Sequence, residues 1–164
     1  MNIIEKSYME VITGNRYDPD GADWHNTEMK ALKVTARDMP EAESYFLETN
    51  HFGCCLHYGM ALFYKLRKLE VPCFIAITLE ENPGTGEQTD MHVSVCYTKD
   101  GNKYIADPVE SVKRNGEGKY FDIPFDYYCL SKGMVWLFNP YGKHGDELFF
   151  EDFLCHPMEI IRVD

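Results

Sequence analysis

The stretch from Gly53 to Pro72 constrains the fold of this chain more than any other. Its apolar residues recur at helical spacing and form two adjoining stripes, with Leu56, Met60 and Phe63 on one and Gly59, Leu62, Leu66 and Leu69 on the other. Gly53 gives the chain a flexible start, basic residues collect in the last turns, where the helix dipole favours cations, and Pro72 ends the pattern. The sequence therefore predicts a buried helix over Leu56–Leu69.

A cysteine stands at the start of this predicted helix. Cys55 lies at the positive end of the helix dipole, which shifts a thiol from its reference pKa of about 8.5 towards the thiolate that a nucleophile needs. The ordinary alternative is a core cysteine, because free cysteine is among the residues most often buried. This stretch alone leaves both interpretations open.

Length and charge limit the class of protein. A chain of 164 residues suits one well-buried domain, so we expect a single domain over residues 1–164. The net charge of −11 argues against a nucleic acid or an anionic membrane as the main partner. No apolar run approaches the roughly 20 residues of a membrane helix, and the first residues do not form a signal peptide. We therefore expect a cytoplasmic protein.

The six cysteines are expected to be reduced thiols, because disulfides persist mainly in secreted proteins. They are Cys54, Cys55, Cys73, Cys96, Cys129 and Cys155. No C-x-x-C pair occurs among them, so a structural zinc site is not predicted. No other cofactor is predicted from the sequence.

The remaining elements follow from the change of hydrophobic period along the chain. Residues 1–26 are predicted to form a short element followed by a loop. The predicted helices cover residues 27–38, 41–49 and 147–153, and the predicted strands cover 73–79, 91–98, 103–106, 134–138 and 159–163. Residues 80–90 and 110–118 are predicted loops.

A histidine and an aspartate fall in the predicted hairpin. His92 lies in its first strand, on the face shared by Ser94 and Cys96, and Asp107 ends the second strand. With a two-residue turn at Asp100-Gly101, Asp107 lies opposite Ser94 and diagonal to His92, about 7–8 Å away and within reach of the ring. A three-residue loop would move Asp107 to the other face. A cysteine nucleophile needs such an imidazole and a third group that orients it.

These motifs resemble the transglutaminase-like superfamily over residues 53–108. Gly53-Cys54-Cys55, followed by Leu66-Arg67 and Val71-Pro72, resembles its nucleophile helix. The run from Met91 to Tyr97 resembles the strand that begins H-x-W-V-E-V-Y, and the run from Tyr104 to Pro108 resembles W-x-x-x-D-P. The chain departs from the family pattern at several positions, namely Gly59, Glu70, Phe74 and the missing tryptophan after His92.

The resemblance implies an α+β, papain-related fold with a central nucleophile helix packed on an antiparallel sheet. It also implies a cysteine acyl-transfer enzyme acting on a peptide or protein amide, in which Cys55 is the nucleophile, His92 the base and Asp107 its orienting partner. In this register Cys54 is the packing residue. Related enzymes often take an oxyanion donor from an aromatic residue upstream of the cysteine, a position for which Trp24 and Tyr45 are the candidates.

Several alternatives remain at this stage. The acyl intermediate can pass to water, as in a peptidase, amidase or deamidase, or to an amine, as in a transglutaminase. A catalytically silent binding or structural domain would keep the same fold. A metal site formed by Cys55, His57 and His92 is a third hypothesis. The predicted loop over residues 80–90 enters just before His92 and is expected to border the cleft.

Overall fold

A computed structural model describes residues 2–18, 32–81, 88–113, 118–132 and 135–148. The helices are α1 (Ile3–Ile12), α2 (Met39–Asn50), α3 (Cys55–Lys68), α4 (Pro108–Lys113) and α5 (Phe125–Lys132). The strands are β1 (Arg16–Tyr17), β2 (Phe52–Gly53), β3 (Cys73–Glu81), β4 (Gln88–Lys99), β5 (Asn102–Ala106), β6 (Asp122–Pro124) and β7 (Trp136–Phe138). None of the helices in these ranges is long and apolar enough to cross a membrane.

The main sheet has five strands in the order β6-β5-β4-β3-β7, and every neighbouring pair is antiparallel. Strands β1 and β2 form a separate parallel pair. The protein therefore has a mixed α+β fold in which helices accompany an antiparallel sheet, as the sequence predicted at this level. The prediction of one domain over residues 1–164 stays a prediction.

Helix α3 is the central helix, and its predicted bounds are confirmed to within one residue. It ends where Glu70 adopts a left-handed conformation (φ 60°) and the Val71 N–H donates to the Leu66 carbonyl oxygen at 2.9 Å. A Cβ atom at Gly59 would lie 2.8 Å from Val93 Cγ1. This close approach of α3 to β4 explains why glycine stands at position 59.

The strands of the main sheet place their side chains on two distinct faces. On β4, Val93, Val95 and Tyr97 belong to the large core cluster that includes α3. Cys96 faces the other way and packs in a smaller cluster with Ile105 and with Tyr128 of α5. Helices α3 and α5 therefore cover opposite faces of the sheet.

The hairpin between β4 and β5 has the predicted register. Lys99 pairs with Asn102, and the two residues between them, Asp100 and Gly101, both have positive φ (52° and 79°). These angles suit a two-residue type I′ turn. Position 107 is therefore the continuation of β5 on the face of Ser94, as the sequence argument required.

Two predicted loops are wrong in part. Strands β3 and β4 pair beyond the predicted ends, with Glu80 opposite Asp90, because the backbone ladder continues through polar residues as readily as through apolar ones. Residues 82–87 of that predicted loop lie outside the described residues. The predicted loop over 110–118 begins inside α4, where Pro108 occupies the start of the helix and its missing N–H costs nothing.

The predicted helix over 27–38 is wrong at its described end. Lys33 has a φ of 52°, and residues 36–38 form a turn. Helix α2 then begins at Met39, with Pro40 in its first turn, and contains the predicted helix over 41–49. Strand β6 and helix α5 were not predicted. The predicted helix over 147–153 and the strand over 159–163 fall almost wholly outside the described residues.

Candidate active site

His92 and Asp107 form a hydrogen-bonded pair at the end of the hairpin. His92 Nε2 lies 2.5 Å from Asp107 Oδ2, and the two side chains are only 19% and 7% exposed. Two further contacts hold the aspartate. Its Oδ1 accepts from the Val109 N–H at 3.1 Å, and its carbonyl oxygen accepts from the Tyr8 hydroxyl at 2.9 Å. The carboxylate therefore has a fixed orientation, and it directs Nε2 of the ring towards itself.

Cys55 approaches the same strand at the backbone that flanks His92. Its sulfur lies 3.8 Å from the Met91 carbonyl oxygen and shares a hydrogen bond with the Val93 backbone. Strand β5 stops pairing with β4 at Val95, so this part of β4 lies beyond the end of the β5 ladder. Cys55 contacts this part of β4 from the side of the sheet that α3 covers. The His92 side chain projects from the same part of β4 on the other side of the sheet. The structure places His92 in contact with Asp107 and the Cys55 sulfur against the backbone that flanks His92. That the three residues act together as a triad stays a prediction.

The adjacent cysteines titrate as a coupled pair, and this differs from the prediction. The pKa of Cys54 is lowered to about 4, chiefly by the hydrogen bond from the Cys55 thiol, although burial opposes the shift. The pKa of Cys55 is raised, first by its hydrogen bond with Cys54 and then by burial. The prediction of a lowered pKa at Cys55 is therefore wrong, whereas Cys54 does pack against the core, as predicted. Cys54 is the N-cap residue of α3, and its bonds with His57 and the Leu56 backbone also favour the negative charge there.

A second histidine–carboxylate pair lies behind Cys54. His57 Nε2 is 3.2 Å from Glu43 Oε2 of α2, and neither side chain is exposed. His57 Nδ1 accepts a hydrogen bond from the Cys54 N–H at 2.9 Å, which is the geometry of a neutral ring with its proton on Nε2. Burial lowers the pKa of His57, but Cys54 and the charge of Glu43 outweigh it and raise the pKa above its usual value.

Sequence reasoning did not find the role of Glu43, and it considered His57 only as a metal ligand. Glu43 looked like one of many surface acids on a short helix. The available signal was a polar side chain at the third position of α3, where capping-box residues reach back to the N-cap N–H. The metal hypothesis is not supported, because no cluster of three ligand side chains occurs among the described residues, which include Cys55, His57 and His92.

A cavity of about 290 Å³ opens beside His92 and Asp107 on the α5 face of the sheet. Its walls combine polar and apolar side chains, and besides His92 and Asp107 they include one further acid and one further base. The other lining residues are Ile105, Val109, Glu110, Phe121, Ile123, Tyr128, Ser131 and Lys132. The histidine therefore borders a space large enough for part of a small substrate.

The structure describes only one of the two candidate oxyanion donors. Trp24 lies outside the described residues. Tyr45 lies on α2 with a side chain that is 70% exposed. A role for either residue stays a prediction, and so does the expectation that residues 80–90 border the cleft.

No protein-family model matches the sequence, and the search of curated proteins found no significant match. Among the solved structures that resemble this one is a chain named "Putative Cysteine Protease from Cytophaga hutchinsonii", with 15% sequence identity and a TM-score of 0.44. The superposition covers 83% of this chain and 39% of that chain, so this chain spans well under half the length of that one. A likeness at this level is too distant to decide the fold family or the activity.

Proposed function

We propose that this protein is a cysteine-dependent acyl-transfer enzyme with a transglutaminase-like, papain-related fold, acting on a peptide or protein amide. The observation that carries the proposal is the short Nε2–Oδ2 contact between His92 and Asp107, with the Cys55 sulfur against the backbone on both sides of His92. An oriented imidazole beside a thiol is the arrangement that nucleophilic catalysis requires.

In this mechanism the two histidine nitrogens have different roles. Because Nε2 bonds to Asp107, Nδ1 exchanges the proton with the thiol. His92 takes the proton from Cys55 as the sulfur attacks the amide carbonyl carbon, and the carbonyl electrons move to its oxygen. When the tetrahedral intermediate collapses, the C–N bond breaks, His92 gives the proton to the leaving amine, and a thioester remains on Cys55.

The second half of the reaction releases the acyl group. A water molecule gives a proton to His92 and attacks the thioester carbonyl, which yields a carboxylic acid and the Cys55 thiol. An amine acceptor in place of water would yield a new amide. Water is the simpler acceptor, and we therefore propose hydrolysis as the main activity.

The start of α3 supplies the oxyanion donors in this proposal. The first N–H groups of a helix have no partner inside the helix, and Cys55 is the first residue of α3. A developing oxyanion beside the Cys55 sulfur would be stabilised by the Cys55 N–H and by the helix dipole. Loss of one such donor typically costs about 10²–10³ in kcat.

The raised pKa of Cys55 determines how the nucleophile is activated. A thiolate on Cys54 disfavours a second negative charge on the neighbouring sulfur. In the resting enzyme Cys55 is therefore a protonated thiol. His92 must remove its proton during the attack, as a general base, and activity should depend on the neutral form of this ring.

The test uses Cys55→Ala with Cys54→Ala as the matched control, since the two thiols are neighbours in the sequence. Hydrolysis is followed on a library of fluorogenic peptide amides, and amine transfer by incorporation of a fluorescent primary amine into casein. We expect Cys55→Ala to lose at least about 10²-fold in rate, while Cys54→Ala keeps measurable activity. If Cys55→Ala works as fast as the parent protein, the assignment is wrong.

One observation favours a second candidate, a catalytically silent domain. The raised pKa of Cys55 is what a buried packing cysteine would also show. Such a domain would turn over no amide in either assay. Its Cys55 would also react with iodoacetamide no faster than Cys73, which is fully buried in the core.

A further inference from the structure

The pair formed by Glu43 and His57 has no part in the mechanism above, yet it lies directly behind the nucleophile. Both side chains are completely buried, and the ion-pair contact between them joins α2 to α3. Burying a carboxylate costs several kcal/mol unless good partners compensate for lost hydration. A core that needed only packing at this point would be served as well by two apolar residues.

The ring of His57 is held from three directions. Phe46 of α2 stacks on it, with 4.5 Å between ring centroids and 22° between planes. A Cβ atom at Gly53 would lie 2.8 Å from three atoms of the His57 side chain, so only glycine leaves room for the ring there. Glu43 Oε2 faces Nε2. These contacts leave one direction for Nδ1, and it faces the Cys54 N–H.

The hydrogen bond at Nδ1 fixes the turn that carries the nucleophile. In the capping-box motif a glutamate or glutamine at the third helical position accepts from the N-cap N–H, and His57 takes that place here. The proton of the ring must then lie on Nε2, which is 3.2 Å from Glu43 Oε2 and is favoured there by the negative charge of the carboxylate. The carboxylate thus selects the tautomer that can hold the Cys54 amide.

The position of the Cys54 amide determines where the next residue points. Cys55 follows it directly, and its sulfur must lie against the backbone of Met91 and Val93 to reach His92. A displacement of about 1 Å at a reacting atom can cost about 10²-fold in rate. A loose turn at Cys54 would therefore affect turnover more than substrate binding.

We propose that Glu43 and His57 are positioning residues that hold the Cys54–Cys55 turn in the geometry required for reaction at Cys55. The proposal rests on the proposed function of Cys55. It assigns no contact with substrate to either residue, because both are shielded from solvent. The pair acts through Cys54, because His57 contacts both its backbone N–H and its side chain.

The main test replaces the whole pair by apolar residues of similar size, in the double variant Glu43→Met with His57→Leu. A buried ion pair replaced in this way often leaves stability unchanged or higher, so the variant should fold, which circular dichroism and thermal unfolding will check. We expect kcat on the best fluorogenic peptide amide to fall roughly 10- to 100-fold, with KM within about twofold of the parent value.

The rescue variant is His57→Gln, which keeps an acceptor for the Cys54 N–H and leaves Glu43 in place. We expect it to recover most of the kcat that the double variant loses. A packing role would give the opposite order, because glutamine fills the space over Phe46 less well than leucine. A double variant with parental kcat, or a His57→Gln variant slower than the double variant, overturns the proposal.

The alkylation of Cys55 by iodoacetamide gives a readout that needs no substrate. Peptide mass spectrometry separates modification at Cys54 from modification at Cys55, and we expect the ratio of the two rates to change severalfold in the double variant but not in His57→Gln. An unchanged ratio counts against the proposal. If Cys55→Ala is inactive while the double variant has parental kcat and ratio, only the positioning role fails, whereas an active Cys55→Ala overturns the proposed function itself.

Discussion

The protein contains two histidine–carboxylate pairs close to the same two cysteines, and they differ in access to solvent. His92 and Asp107 lie at a strand edge beside a cavity, with part of the imidazole exposed. His57 and Glu43 lie between two helices with no exposed surface. In the roles proposed above, the same two chemical groups exchange protons with a substrate in one place and hold Cys54 in the other. Burial, more than residue type, separates the proposed catalytic pair from the proposed positioning pair.

Replacement of His92 gives the largest expected effect and the sharpest separation of the two pairs. A general acid–base residue contributes about 10²–10⁴-fold to rate, so we expect His92→Ala to lose that much in kcat on the peptide amide library. His144→Ala is the matched control, because His144 contacts Glu147 away from the site and should change kcat less than twofold. A kcat loss in His57→Gln equal to that in His92→Ala would reverse the roles assigned to the two pairs.

The two pairs also differ in how far the sequence predicted them. The contact between His92 and Asp107 follows from strand alternation and a two-residue turn, both of which are local rules. The contact between Glu43 and His57 joins two helices, and it depends on how α2 packs against α3. Helical period alone leaves the relative rotation of two such helices open. The α+β class and the contact between His92 and Asp107 were therefore predicted, and the contact between Glu43 and His57 was not.

The prediction that Cys55 has the lowered pKa was wrong for a related reason. The argument from the helix dipole treats Cys55 as an isolated thiol at a helix start. In the structure its strongest electrostatic neighbour is the adjacent thiol of Cys54, which takes the charge instead. Side-chain orientation at a helix N-terminus depends on the capping contacts, and these involve His57, whose position the sequence did not give.

The two adjacent thiols lie between the two pairs, because Cys54 contacts His57 and Cys55 contacts the backbone beside His92. The pH dependence of Cys54 ionisation therefore tests how strongly the two thiols are coupled. The pKa of Cys54 is lowered to about 4, first by the hydrogen bond from Cys55. Removal of that donor in Cys55→Ala should raise the pKa of Cys54 by about one to two units, because a hydrogen bond to a charged group stabilises it by about 1.5–3 kcal/mol. Only the thiolate is alkylated, so the pH midpoint for reaction of Cys54 with iodoacetamide should move upwards.

The control for this titration is Cys129→Ala, since Cys129 lies on α5 and is not among the groups that shift Cys54. Its alkylation profile for Cys54 should match that of the parent protein. A midpoint in Cys55→Ala that stays near the parental value would mean that His57 alone holds the charge on Cys54. The hydrogen bond between the two thiols would then have no part in the ionisation of Cys54.

Tyr8 supports the catalytic pair from α1 and gives the smallest expected effect. Its hydroxyl donates to the Asp107 carbonyl oxygen at 2.9 Å and lies 2.6 Å from Ser111 Oγ. Loss of this hydroxyl in Tyr8→Phe removes a partner from a buried carbonyl, which typically costs about 1–3 kcal/mol in the free energy of unfolding. The Asp107 carboxylate keeps its bond from the Val109 N–H. We therefore expect lower stability in urea, with kcat reduced only severalfold.

Tyr45→Phe serves as the control for Tyr8→Phe and also tests the predicted oxyanion donor. The Tyr45 side chain is mostly exposed, so loss of its hydroxyl should leave the free energy of unfolding unchanged within about 0.5 kcal/mol. If Tyr45 donates to the oxyanion, kcat falls about 10²–10³-fold at unchanged stability. Because Tyr8 acts through the Asp107 backbone, its variant should combine a measurable loss of stability with a small loss of kcat. If the Tyr8→Phe protein has parental stability and parental kcat, the contact between Tyr8 of α1 and Asp107 does not support the proposed catalytic pair.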